Sequence, residues 1–324
     1  MRRTAATIVA ALGVVLIALP FALSLFGRAS DAEKLSSAVR PSMTTQGLAG
    51  LQDDFDTAYA AGDQFIQKTI PAVAQALHLT SAQLAAYVGS NFPDVATGVT
   101  RWYVMSDDAR NDIDIIKTHK TQFDAADAIP TASVPLTAGP YGFIALGVAL
   151  LIAGAVAFRT GARGAFAASL ILGIAAVAIP FALSFPHKAS QTDQVMKSLR
   201  NVLSRQEVNT LQTNLGVVEK MVPQLTQKMI PALEQKLHMT PQQFQDFVAT
   251  NFPAVAKGLA SFRPILDRMS ARVSVMDAGV PLYSQTAKIQ FGALPWLFIV
   301  PGIVVALASA AALASGAKVT VDGT

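Results

Sequence analysis

No cysteine occurs among the 324 residues. Disulfides, thiolate metal ligands and CxxC redox chemistry are therefore excluded, and a domain facing an oxidising compartment has to rely on apolar burial and helix packing. Charge is scarce as well. Asp, Glu, Lys and Arg make up 14% of the chain, against about a quarter in a soluble domain. Sustained period-two alternation, the mark of a half-buried strand, is missing. So are hydrolase triads, a GxGxxG turn after a strand, Walker loops and HExxH. Asp53, Asp54 and Asp56 cluster without the glycine and terminal glutamate of an EF-hand, so no calcium site is expected.

The chain does have long uncharged runs. Thr7–Phe26, Tyr141–Phe158, Ala165–Phe185 and Trp296–Ala314 hold no Asp, Glu, Lys, Arg or His. At about 1.5 Å rise per residue, each is long enough for a hydrocarbon core of about 30 Å. Arg2 and Arg3 precede the first run, and Arg159 and Arg163 lie between the second and third. The positive-inside rule puts both termini and that short turn in the cytoplasm. Phe26, Tyr141, Phe185 and Trp296 fall at the opposite ends, where aromatic rings favour the interface. The expected layout is a cytoplasmic N-terminus at 1–6, spans at 7–26, 140–158, 165–185 and 294–314, a cytoplasmic turn at 159–164 and a cytoplasmic tail at 315–324. Residues 27–139 and 186–293 form two extracytoplasmic lobes. The first run also fits a cleavable signal peptide. Its closing Ala22-Leu23-Ser24 returns in mid-chain as Ala182-Leu183-Ser184, which favours a retained anchor.

That return is part of an internal repeat. Residues 20–100 laid on 180–260 without a gap give 29 identities in 81 positions. They include Pro20-Phe21-Ala22-Leu23-Ser24, Ile70-Pro71-Ala72, His78 and Asn91-Phe92-Pro93, each repeated 160 residues later. A repeat of span, lobe, span has two crossings, so its copies share one orientation and form a parallel repeat about the membrane normal.

The lobes read as helical bundles. Val208, Leu211, Leu215, Val218, Val222, Leu225 and Met229 follow the 3-4 spacing of an apolar helix seam, matched in the first copy by Leu48, Leu51, Phe55, Ala58, Gly62 and Phe65. Ser204–Glu207, Thr80–Gln83 and Thr240–Gln243 read as capping boxes. The Ser204 box should end a helix begun near Gln191, and Pro41 and Gly47 mark the corresponding break in the first copy. Asn91 and Asn251 are candidate N-caps, and Pro71 and Pro231 should kink or restart a helix. Ala128–Pro140 and Gln285–Leu294 read as extended returns to the membrane. Small-residue ladders at Ala149, Ala153, Ala157 and at Gly302, Ala306, Ala310, Ala314 would let spans pack closely.

Residues 27–139 hold 8 basic and 13 acidic side chains, a balance of −5, and residues 186–293 hold 12 and 7, a balance of +5. Lobes of opposite sign would attract each other or different partners. His78 and His238 lack recurring ligand neighbours, and a role at a helix C-terminus accounts for them more simply than a metal does.

No catalytic, metal or cofactor residues are expected. The candidate interaction surface comprises Asn91, Phe92, Pro93, Asn251, Phe252, Pro253, Arg263, Arg268 and Arg272. The expected fold class is an all-α integral membrane protein with four spans and two homologous helical-bundle lobes. Its layout resembles bacterial envelope accessory membrane proteins in outline. The expected role is that of a non-enzymatic plasma-membrane scaffold or transport-accessory subunit that meets membrane lipid and a protein partner, not nucleic acid. The alternative is a module that binds lipid or another apolar ligand between the lobes and serves export. A channel or transporter is disfavoured by the uncharged spans.

Overall fold

The computed structural model describes residues 1–127 and 135–315, so most of the expected return at 128–140 and nearly all of the tail at 315–324 lie outside the described residues. The protein is all-helical, with no strand among the described residues. Among the described residues, fifteen α-helices follow in order. They are α1 (Arg2–Ala22), α2 (Leu25–Met43), α3 (Thr45–Gln64), α4 (Ile70–Ala76), α5 (Ser81–Asn91), α6 (Pro93–Thr118), α7 (Lys120–Asp127) and α8 (Ala138–Thr160), then α9 (Arg163–Ala182), α10 (Phe185–Val202), α11 (Arg205–Gln224), α12 (Ile230–Lys236), α13 (Pro241–Asn251), α14 (Pro253–Thr286) and α15 (Trp296–Ala314). They form two compact units. A span unit takes Met1–Ala38, His119–Ser198 and Pro281–Thr324, and a helical unit takes Val39–Thr118 and Leu199–Val280.

In the span unit, α1, α8, α9 and the stretch Phe291–Ala314 ending in α15 are long and apolar enough to cross a membrane. Close approach is set by glycine. A Cβ on Gly13 of α1 would stand 2.7 Å from Gly147 O and Leu151 N of α8, and one on Gly173 of α9 would stand 2.8 Å from Gly302 O and Ala306 N of α15. Because those neighbours are backbone, they cannot yield as a side chain would. The buried stripes run through Gly147, Leu150, Gly154 and Ala157 on α8, and through Gly302, Val305, Ser309 and Ala312 on α15. Ala149 and Ala153 are half-buried, and Ala310 and Ala314 are exposed. A strict four-residue ladder advances about 40° per step around a helix of 3.6 residues per turn, so it leaves the packed face within a few steps.

The span helices also stop earlier than the uncharged runs suggest. After α1 and α9 the chain turns at Ser24 (φ 52°) and Ser184 (φ 53°), and Phe26 and Phe185 belong to the next helix. Consequently α10 starts at Phe185, not near Gln191. Phe26 and Tyr141 meet edge to face, with centroids 5.1 Å apart.

The helical unit is built from two runs with the same succession of elements. In each, a 20-residue helix (α3 or α11) widens into a π turn, Phe65–Thr69 or Leu225–Met229, immediately before Ile-Pro. Pro71 and Pro231 lack an N–H and crowd the carbonyl four residues back. The wider turn relieves this, and Ile70 N–H bonds Phe65 O across it. The prolines thus bulge a continuous helix. Each run then turns at His78 (φ 53°) or His238 (φ 57°). Leu79 N–H bonds Ala74 O and His78 N–H bonds Gln75 O, with the matching pair from Met239 and His238. This is a Schellman ending, and the histidines serve it through backbone conformation. Both threonine capping boxes form, at Thr80–Gln83 and Thr240–Gln243. At Ser204 the serine accepts from Glu207 N. The first run's counterpart is Thr44, which accepts from Gly47 N. A Cβ on Gly47 would lie 1.9 Å from Pro41 O, so only glycine fits there.

One core serves both runs. Leu84, Phe92 and Val95 of the first pack with Met229, Leu233, Phe244 and Phe252 of the second.

Candidate ligand cavity of the helical unit

The apolar seam expected on α11 is only partly the buried one. Leu211, Leu215 and Val218 are half-buried, and the buried positions include the polar Asn214 and Gln224. Each polar residue reaches across to the other run.

The glutamines act as caps. Gln224 Oε1 accepts from Asp94 N (2.8 Å) and Val95 N (3.0 Å) at the start of α6. Gln64 Oε1 accepts from Ala254 N (2.9 Å) and Val255 N (3.0 Å) at the start of α14. The free N–H groups of a helix N-terminus thus find their acceptor on a helix 130 or 190 residues away. This corrects the expectation that Asn91 and Asn251 cap these helices. Each is the last residue of the preceding helix, and its Nδ2 donates backwards, to Tyr87 O or Phe247 O. A single residue, Phe92 or Phe252, separates the helices, too little for the asparagine to reach forward. The signal lay in the repeat itself, because Gln64 and Gln224 are identical residues 160 apart on the packed side of a helix.

Asp54 and Asn214, also 160 apart, are both buried. Asp54 accepts from Arg268 Nε (3.0 Å) and Arg272 Nη1 (3.2 Å). That bond holds the Arg268 guanidinium's pKa above its ordinary value. Asn214 Oδ1 accepts from Arg101 Nη2 (3.0 Å). Where the second run has Arg268 and Arg272, the first has Asp108 and Asp112. Burial pushes the Asp112 carboxyl up to about 7, helped by Glu207 and Asp108, and its Oδ2 is buried without a hydrogen-bond partner.

Of the other candidate surface residues, Phe92 and Phe252 are buried in the shared core, and Asn91, Pro93, Asn251 and Pro253 are exposed. Arg263 pairs with Asp267 on its own helix at 3.3 Å, in solvent, while Arg268 and Arg272 reach Asp54.

The core borders a partly open pocket of about 230 Å³ lined by both runs. Larger side chains of the second run (Phe244, Phe247, Phe252) face smaller ones of the first (Ser81, Ala85, Ala96). Thr69, Ser81 and Thr100 supply the only polar side chains of the lining, which holds no acid, base or amide. A second cavity of about 120 Å³ adjoins Trp102, Asn214 and Phe262. A pocket of this kind can hold an apolar group, with three hydroxyls as its polar contacts. Among the described residues, no group of three His, Cys, Asp or Glu could hold a metal.

Comparison with protein-family models, with curated proteins and with solved structures finds no significant match to this chain.

Proposed function

We propose that the chain is a non-enzymatic, four-span protein of a bacterial plasma membrane whose helical unit, outside the cytoplasm, holds an apolar ligand for envelope transport. The observation that carries this reading is the cavity of about 230 Å³ with an almost wholly apolar lining. Engineered apolar cavities of about 150 Å³ stay dry and take up benzene, so a pocket of this size and chemistry favours an apolar guest over water. The orientation rests on Arg2, Arg3, Arg159 and Arg163 at one end of the spans. It predicts that Ser37→Cys and Ser198→Cys are labelled from outside intact cells while Gly161→Cys is not. A tandem duplication of a span–lobe–span unit is part of the same reading, supported by the paired π turns, serine and histidine turns and glutamine caps.

The test uses Trp102, which lines the neighbouring cavity. In full-length protein carrying Trp296→Phe, bromododecanol should quench Trp102 fluorescence saturably, and Ala96→Phe, which fills the larger cavity, should abolish the saturable part. Quenching that is absent, or unaffected by Ala96→Phe, overturns the ligand reading. Discrete proteins co-purifying in its place would favour the scaffold reading.

A further inference from the structure

The span unit contains a larger apolar space. About 440 Å³ of partly open space is bordered by the first half of α8, the second half of α9, the first turns of α2, the start of α15 and the segment around Phe291. Small side chains leave it open: Ala29 and Ala32 on α2, Gly142 on α8, Ala175 and Ala176 on α9. One wall is pinned by Asp193, whose carboxylate accepts from Phe291 N (3.0 Å) and Gly292 N (2.9 Å). A Cβ on Gly292 would come within 2.9 Å of that carboxylate. Phe143 and Phe298 stack with centroids 3.7 Å apart and present a rigid floor. Every lining side chain is apolar, glycine or proline.

An apolar guest supplies dispersion contacts along such a lining, which does not attract water. Since α8, α9 and the stretch Phe291–Ala314, which supply most of the wall, are long and apolar enough to cross a membrane, the apolar molecule at hand is a lipid chain. The cavity also lies where α9 ends and α8 begins, at the level expected for headgroups. There Arg28 sits in the first turns of α2, beside the lining residues Leu25 and Ala29. Its neighbours Asp31 and Lys34 pair with each other at 3.8 Å, and Thr137 bonds Glu33. Arg28 makes no such bond within the described residues, and a guanidinium is matched in geometry to a phosphate.

We infer that this space is a binding site for one acyl chain of an anionic membrane phospholipid, with Arg28 as the partner of its phosphate. The site is separate from the cavity of the helical unit and does not depend on that reading.

The experiment uses full-length protein reconstituted with phosphatidylglycerol and phosphatidylcholine in equal amounts, released into mild detergent and weighed by native mass spectrometry. Wild type should retain one lipid, with phosphatidylglycerol favoured about fivefold by the charge-assisted contact. Ala175→Phe, which fills the volume from α9, should cut retention about tenfold, and Ala29→Leu should do so from α2 if the first variant does not fold. Arg28→Gln should keep the lipid and lose the preference. Ala96→Phe in the helical unit should change neither. Absence of retained lipid in wild type, or undiminished retention in a folded cavity-filling variant, overturns the site. An unchanged preference in Arg28→Gln overturns the assignment of the headgroup.

Discussion

The two polar junctions of the helical unit occupy matching places in matching backbones, yet they are electrostatic opposites. At one, a buried carboxylate, Asp54, is held by two arginines. At the other, an amide, Asn214, meets a single arginine, and the places of the two arginines are taken by Asp108 and Asp112. Three exchanges (Asp for Asn and two Arg for two Asp) leave one junction satisfied and the other with an unpartnered carboxyl oxygen. A backbone that tolerates both arrangements owes its shape to features the runs share: the π turns, the Schellman endings and the glutamine caps. Charge at these positions is free to vary, and it makes the two halves distinguishable.

The largest expected effect lies at the satisfied junction. Asp54→Ala removes the buried acceptor of two partly exposed guanidiniums and should cost about 2 kcal/mol, while Asn214→Ala should cost about 1 kcal/mol. Thermal melting of the full-length protein in mild detergent measures both, and equal losses would mean that the charge at Asp54 adds nothing to the fold.

Next comes the acidic junction. Asp112 binds its proton up to pH about 7 in the folded protein, against 3.8 ordinarily. Between those values the folded state holds more protons than the unfolded one, so the stability this group contributes falls as pH rises from about 4 to 7 and is flat above. Asp112→Asn should flatten that slope and stabilise the protein above pH 7 by about 1 kcal/mol, the shift being discounted for a group still partly in solvent. A wild-type melting temperature that does not fall relative to the variant over this range would contradict the buried, proton-holding state.

Smallest is the difference between the caps. Gln64→Ala and Gln224→Ala should each cost about 1 kcal/mol, the ordinary worth of an N-cap, and should match each other closely. A clear inequality would show that the halves differ in packing as well as in charge.

Much of this was legible in the sequence. The four long apolar helices stand out as uncharged runs, because a hydrocarbon core excludes charge along its whole depth. Both threonine capping boxes could be read because their partners lie three residues apart. The ends of α1 and α9 were misjudged because hydropathy does not register a residue such as Ser24 in the left-handed region. The real caps of α6 and α14 escaped because Gln224 and Gln64 lie 130 and 190 residues from the groups they serve. The buried face of α11 was misplaced for a related reason. An apolar pattern passes over Asn214, a polar residue whose burial depends on a partner from a distant segment.

The glutamine caps also bear on the order of events during synthesis. The first turn of α6 is made well before Gln224, which follows 130 residues later. At ribosomal speeds of about 5–20 residues per second, roughly ten seconds pass before its acceptor exists. Over that interval Phe92 and Val95 lack the second run's share of their core, Met229, Leu233, Phe244 and Phe252, and α8 and α9 are both made before it arrives. Until then the first turn of α6 has only water or a nearer group to accept from its free N–H groups.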